Sequence, residues 1–171
     1  MHNVEFKAEL RDLPLARTIV RSLGARFIVR MNQTDTYFKT PTGRLKRREC
    51  EGEPTEYIHY ERADRLLPKL SHFTIYSEDR FREVFGTEPM HVWLTVRKSR
   101  ELFMLGNVRI HLDEVDTLGN FVEFEALVSP DHTVPTCHRA IAELREKLGP
   151  VLGEPIAVGY SDLLERANAR D

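Results

Sequence analysis

A chain of 171 residues is one domain's worth of protein, long enough to bury a core and too short for two ordinary domains with a linker. At 41% hydrophobic and 30% charged residues, with nine Gly and nine Pro, it falls outside the collagen-like, low-complexity and disordered classes. Twenty-five Lys plus Arg against twenty-seven Asp plus Glu leave a net charge of -2, which by itself argues for neither a nucleic acid nor an anionic membrane as partner.

The opening MHNVEFKAEL carries charge where a signal peptide needs an apolar stretch, and no run of about eighteen apolar residues follows, so the expectation is a cytoplasmic protein. Two cysteines, Cys50 and Cys137, form no C-x-x-C pair and suit free thiols in a reducing compartment. The seven histidines are scattered without zinc-ligand spacing, and Cys137-His138 reads as a helix surface pair.

In chain order, Asn3, Glu5 and Lys7 alternate with Val4, Phe6 and Ala8, which predicts a strand with one polar and one apolar face. Asp12 caps a helix that carries Pro14 in its first turn and Leu13, Ala16, Ile19, Val20 and Leu23 at helical spacing before Gly24. Strands are predicted at Ala25 to Met31, Thr34 to Lys39, Arg44 to Glu49, Glu56 to Ala63 and Ser71 to Tyr76. Pro41-Thr42-Gly43 and Gly52-Glu53-Pro54 supply turns between them. A short helix over Ser77 to Phe85 ends at Gly86, and strands resume at His91 to Leu105 and Val108 to Val115 across a Gly106-Asn107 hairpin. A turn at Asp116 to Asn120 leads to a strand from Phe121 to Val128, a helix over Pro130 to Leu148 and a final short helix around Ser161 to Ala169. Roughly eight strands joined by turns predict an α+β fold with one antiparallel sheet, and closing it into a barrel removes its exposed edges.

The net charge hides a division. Lys39 to Arg48 holds five basic residues and no acid, whereas His111 to Glu125 holds five acids and no Lys or Arg. Alternate residues share a strand face, so Arg44, Lys46 and Arg48 lie together, as do Lys98 with Arg100, and Arg109 with His111 and Asp113. Glu123 and Glu125 alternate with Val122 and Phe124 as Glu5 and Lys7 do with Val4 and Phe6. For one such strand the ordinary reading is a polar face toward water. For the set, two long amphipathic helices need a sheet face to cover, which places the apolar face outside a barrel and the charged face in its lumen. Crowded Lys and Arg then call for carboxylates or a polyanion. Arg forks onto phosphate oxygens, and converging carboxylates hold Mg²⁺ shared with substrate phosphates, so Glu5, Glu123 and Glu125 beside basic rows suit a metal-bound polyphosphate. A long nucleic acid fits less well, because the aromatics do not interleave with the basic residues.

Asn3-Val4-Glu5-Phe6-Lys7 resembles the E-x-E-x-K opening of the CYTH superfamily, or triphosphate tunnel metalloenzymes, which includes class IV adenylate cyclases and thiamine and inorganic triphosphatases. Gln33 to Phe38 followed by Gly43 to Glu49 resembles the Q-x-D-t-Y-f…g-r-L-k-x-R-e block of cyclase-like members, Tyr60-Glu61-Arg62 their Y-x-R and Lys98-Ser99-Arg100 their K-x-R. NVRIHLDEVDTLGNFVEFE, from Asn107 to Glu125, and Tyr160-Ser161-Asp162-Leu163-Leu164 complete the match in order along one CYTH-like domain, 1–171.

The resemblance implies an eight-stranded antiparallel tunnel. By position, Glu5, Glu123 and Glu125 would hold Mg²⁺ or Mn²⁺, with Asp113 as a further metal or water ligand. Lys7, Lys46, Arg48, Arg62, Lys98, Arg100 and Arg109 would hold phosphates. Glu5, Lys98 and Asp113 would be catalytic, with a salt bridge in the lumen nearly as good a reading for Asp113 and Arg62. The Tyr160 to Leu164 motif reads as helix packing, and Glu61, of opposite parity to Arg62, is expected to point outward. Asn3 departs from the pattern: it stands where the family has the first Glu, so one charge is lost and a neutral oxygen offered. The expected activity is metal-dependent and acts on a small-molecule triphosphate. Class IV cyclase chemistry, ATP to cyclic AMP and pyrophosphate, leads; hydrolysis of an inorganic or organic triphosphate is the alternative, and a non-catalytic polyphosphate or nucleotide sensor the rival. No nucleic acid or membrane partner is expected, and a homodimer is compatible with the sequence.

Overall fold

The computed structural model describes residues 1–170, without the side chain of Arg62. β1 (His2–Leu10) runs into α1 (Leu13–Ser22), whose Leu15 amide donates to the Asp12 carboxylate at 2.9 Å and so begins the helix where the sequence predicts. There follow β2 (Arg26–Phe38), β3 (Arg44–Cys50), β4 (Glu56–Arg62), β5 (Lys69–Ser77), α2 (Glu78–Phe85), β6 (Val92–Leu105), β7 (Val108–Val115) and β8 (Gly119–Leu127). α3 (Val134–Lys147), β9 (Leu152–Pro155) and α4 (Tyr160–Arg170) complete the described chain.

The strands are hydrogen-bonded in the order β5-β4-β3-β2-β6-β7-β8-β1, and β1 pairs back onto β5 from His2↔His72 to Glu5↔Lys69. This closes an eight-stranded antiparallel barrel, as expected, with four helices packed around it. The C-terminal half of β1 runs past β5 and pairs instead with β9, through Ala8↔Pro155 and Leu10↔Leu152.

Three elements differ from the sequence reading. The two strands expected on either side of Asn32 are one 13-residue strand, β2, because β6 pairs with it along nearly its whole length. The register shift between Phe27 and Val29 is a bulge that realigns the N-terminal end of β2. β9 is absent from the sequence reading: Leu-Gly-Glu-Pro has neither alternation nor β-branched residues, and main-chain pairing to β1, with Leu152 packed on the core, holds it. α3 starts at Val134 rather than Pro130, since Ser129 and His132 bridge to each other and Thr133 caps the helix.

The apolar strand faces point outward. Val4, Phe6, Ala8, Ile110, Leu112, Val122 and Phe124 pack beneath Ala16 and Val20 of α1, Cys137, Ile141 and Leu144 of α3, and Leu148 just after it. α2 covers a smaller patch in which Phe81 stacks on Tyr57 at 3.9 Å, over Phe38 and Leu45. The main core therefore lies between barrel and helices, and the inner faces carry the charged side chains, with apolar groups such as Val96 and Phe121 toward one end and Ile58 and Phe73 toward the other. Cys50 and Cys137 are both free thiols. No helix among the described residues is long and apolar enough to cross a membrane.

The turn between β2 and β3 depends on Gly43, with φ of +69° and a virtual Cβ only 2.8 Å from the Tyr60 carbonyl oxygen. Gly43→Ala is expected to cost about 2 kcal/mol or more, from left-handed strain and the backbone contact. Urea unfolding measures it; an unchanged midpoint would contradict this account of the turn.

Candidate active site

The parity rule and the register together build two walls. On β1 and β8, Glu5 faces Glu125 and Lys7 faces Glu123 across the ladder. On β2 and β3, Asp35 pairs with Arg48 and Tyr37 with Lys46. β1 and β8 lie four places around the ring from β2 and β3, so the acidic and basic walls face each other across the barrel. Between them runs a cavity of about 320 Å³, lined among others by Asn3, Glu5, Lys7, Lys46, Arg48, Lys98, Arg100, Arg109, Glu123 and Glu125.

The basic wall is organised by Asp35, which is 1% exposed. Arg48 donates two hydrogen bonds to it at 2.8 and 2.7 Å, and the ammonium groups of Lys46 and Lys98 lie 3.2 and 3.4 Å from Oδ2. Burial opposes the charge on Asp35, but Arg48, Lys46 and Lys98 together hold its carboxyl well below the usual carboxylate range. The same crowding acts on the lysines. Burial and then the neighbouring Arg48 push Lys46 down to about 8. Burial and Arg100 push Lys98 down too.

The acidic wall has too much like charge to stay fully ionised. Glu123 is held below its ordinary value despite burial, by Lys7 at 3.6 Å and Arg100 at 3.3 Å. Glu125 is pushed up to about 8 by burial, by the Glu123 charge and hydrogen bond, and by Glu5. A carboxyl pair that keeps a proton near neutrality is a pair for which a divalent cation can substitute. The neighbours fit such an ion. Asn3 Nδ2 lies 3.5 Å from Glu125 Oε2 while its buried Oδ1 has no hydrogen-bond partner. His111 Nδ1 lies 3.6 Å from Glu125 Oε1, also without a hydrogen bond. Donor atoms of His111, Glu123 and Glu125 all lie within 4.8 Å of one another.

Asp113 stands apart from this set. It is 0% exposed and does not line the cavity; Arg100 donates to both its oxygens at 2.7 Å and the Tyr160 hydroxyl donates to Oδ2 at 2.6 Å. Its surroundings are those of the lumen salt bridge weighed for it in the sequence, not of an open ligand position. Arg109 reaches the cavity from a more exposed position, 3.9 Å from Glu125. The backbone of Arg62 pairs with Ser71, and its side chain lies outside the described residues. Glu61 is exposed, as its parity predicts.

Four contributors were not assigned from the sequence. Asp35 sits inside the quoted Q-x-D-t-Y-f block with inward parity, so alternation with Gln33 and Tyr37 was a usable signal. Tyr160, expected only to pack, also closes one end of the cavity: its ring lies 3.8 Å from Lys7 Nζ and 5.1 Å from Lys98 Nζ. Lys69 donates to the Ala157 carbonyl and so fixes the segment leading to Tyr160, which no local pattern foretold. Alternation puts His111 on the same face as Arg109 and Asp113 but gives it no role. Toward the other end, nearest the turn between β3 and β4, the lining turns apolar with Met31, Ile58, Phe73, Ile75 and Leu102.

Among solved structures, the chain resembles the PH1012 protein of Pyrococcus horikoshii, at 22% identity and a TM-score of 0.77 over 94% of this chain and 98% of that one. It also resembles a candidate adenylate cyclase of Vibrio parahaemolyticus, at 16% identity and 0.74 over 96% and 98%. A more distant likeness is to the Pct1 RNA triphosphatase of Schizosaccharomyces pombe, at 10% identity and 0.56 over 86% and 82%. At these identities the shared property is the barrel. A comparison with curated protein sequences finds no match. The sequence model of the CYTH domain, however, matches residues 1–160, a span that takes in all eight barrel strands and Tyr160 at the tunnel's closed end, and the chain therefore belongs to the CYTH family.

Proposed function

We propose that the protein is a divalent-metal-dependent triphosphatase, which removes a terminal phosphoryl group from a triphosphate held along the barrel. The observation that carries this reading is the pair of opposed walls, acidic and basic, across one cavity of about 320 Å³. A triphosphate chain and its solvent fit a cavity of this size, and the opposed charges run along its length. The sequence resemblance ranks cyclisation first; hydrolysis asks less of the site, since only the phosphate chain need lie between the charged walls.

In this reading Lys46, Arg48, Lys98 and Arg100 hold the chain in line, Arg48 and Arg100 being fixed by Asp35 and Asp113. Asp113 is thus a positioning residue. Glu5, Glu123 and Glu125 hold the metal ion, with Asn3 as a neutral donor. When bound, the ion supplies neutralisation of phosphate charge and acidification of bound water. Water attacks the terminal phosphorus and releases a proton to solvent, the bond to the bridging oxygen breaks with its electron pair going to the diphosphate that leaves, and orthophosphate is formed. Fixed cations meet the charge that develops on the leaving oxygens. A second reading, ATP to cyclic AMP, is favoured by the apolar end at Met31, Ile58, Phe73, Ile75 and Leu102, which suits a base next to the carboxylates.

Incubation with tripolyphosphate, and separately with ATP, plus Mg²⁺ or Mn²⁺, followed by phosphorus NMR, separates these. Phosphate from either substrate supports the triphosphatase, and cyclic AMP with pyrophosphate supports the cyclase. Tight binding with no product makes the protein a sensor and overturns both.

Binding should also move protons. Burial first, and crowding cations second, push Lys46 down to about 8 and Lys98 below its ordinary value. A polyanion raises both, so tripolyphosphate added without metal at pH 8.5 is expected to bind with uptake of about one proton or more. Calorimetry in buffers of different ionisation enthalpy reads this directly. A heat independent of buffer would contradict it.

A further inference from the structure

We infer that the acidic wall is a mixed nitrogen and oxygen site, in which His111 Nδ1 joins Glu123 and Glu125 as a direct ligand, so that it selects a first-row transition ion over Mg²⁺. The inference rests on the reading of that wall as the metal site and concerns which ion it takes.

His111 is 5% exposed, and it points its Nδ1 at Glu125 Oε1 from 3.6 Å, too far for a hydrogen bond. A buried ring nitrogen with no partner needs an explanation. Two ligands bound about 2.1 Å from one ion lie about 3.0–3.5 Å apart, close to the separation found. The register supports the placement: His111 is directly opposite Glu123 on β8, one step from the Arg109↔Glu125 pair. Independently, Asn3 is 3% exposed and keeps an unpartnered Oδ1 while its Nδ2 lies 3.5 Å from the other oxygen of Glu125. Two orphaned donors thus flank one carboxylate, and both are neutral. The residue that replaces the family's first Glu lowers the negative charge, and the imidazole adds nitrogen. Mg²⁺ demands near-octahedral oxygen and gives up water reluctantly. Manganese and the ions after it accept imidazole readily.

The test uses the whole protein without substrate. Equilibrium dialysis compares Mn²⁺ and Mg²⁺, and pulsed electron paramagnetic resonance of bound Mn²⁺ looks for a directly coordinated nitrogen. Expected are Mn²⁺ binding at least about tenfold tighter than Mg²⁺, with nitrogen coupling. His111→Ala should lose the coupling and most of the selectivity. His111→Asn, which keeps a polar group in the barrel, should lose the coupling too and serves if the alanine variant does not fold. Mn²⁺ bound without nitrogen coupling, or selectivity unchanged in both variants, overturns the inference while leaving the triphosphatase reading intact if phosphate is still released. Nitrogen-coordinated Mn²⁺ in a protein that turns over no triphosphate supports this site and removes that reaction. No metal binding at all overturns both.

Discussion

Replacing Glu125 with Gln is expected to cut metal-dependent phosphate release about 10²–10³-fold while raising the melting temperature of the metal-free protein at pH 8. The two effects have one cause. Glu125 is packed against Glu123 and near Glu5 in a buried wall, which pushes its pKa from 4.5 up to about 8. A carboxyl raised in this way binds its proton more tightly in the folded than in the unfolded chain. Its contribution to stability is fully present below about pH 4.5 and is lost as the pH rises through about 8. Gln imitates the protonated acid at every pH, so it removes that slope but cannot ligate a cation as a carboxylate does. Thermal melts of both proteins between pH 5 and 9 in chelator check the stability arm, and released phosphate checks the other. Unchanged turnover would remove Glu125 from the metal set. A melting temperature lower at pH 8 would show that the wall is not charge-strained.

Asp35→Ala is expected to destabilise the ligand-free barrel by about 3–5 kcal/mol, because it leaves Lys46, Arg48 and Lys98 facing one another with their shared counter-ion gone. The cost exceeds that of an ordinary ion pair because Asp35 is buried and touches three cations at once. Polyanions should then do more for the variant than for the parent, since phosphate oxygens take the place of the lost carboxylate. Tripolyphosphate is expected to raise the melting temperature of Asp35→Ala more than that of the unmodified protein, and Asp35→Asn should lie between. Urea unfolding measures the loss, and thermal melts with and without tripolyphosphate measure the gain. A loss under about 1 kcal/mol would mean that the basic wall does not depend on Asp35.

The walls themselves were legible because a strand repeats every two residues. Glu5 with Lys7, Lys46 with Arg48, Lys98 with Arg100 and Glu123 with Glu125 needed only parity to be placed on inner faces. The inversion, with the apolar face outside, was legible from two amphipathic helices in search of a surface, and α1 and α3 cover that surface. Register was not legible. Parity does not say that Asp35 lies opposite Arg48, or that Arg100 reaches Asp113 on the adjoining strand, and these pairings make two carboxylates into anchors for arginines. The closure of β1 onto β5 and the handover of its other half to β9 are long-range choices between main chains, which side-chain patterns do not record. His111 was placed on its face correctly, but only the three-dimensional proximity of Glu125 gives its ring nitrogen a purpose.

An interior divided between acid and base should bind its two guests together, and the coupling can be measured. The affinity for tripolyphosphate is determined by calorimetry with and without saturating Mn²⁺, in the unmodified protein and in Glu123→Ala, under conditions where turnover is negligible. Expected are at least about a tenfold gain in affinity with Mn²⁺, the reciprocal gain for Mn²⁺, and loss of both gains in Glu123→Ala with metal-free binding retained. Equal affinities with and without metal, or a gain that survives Glu123→Ala, would contradict this coupling.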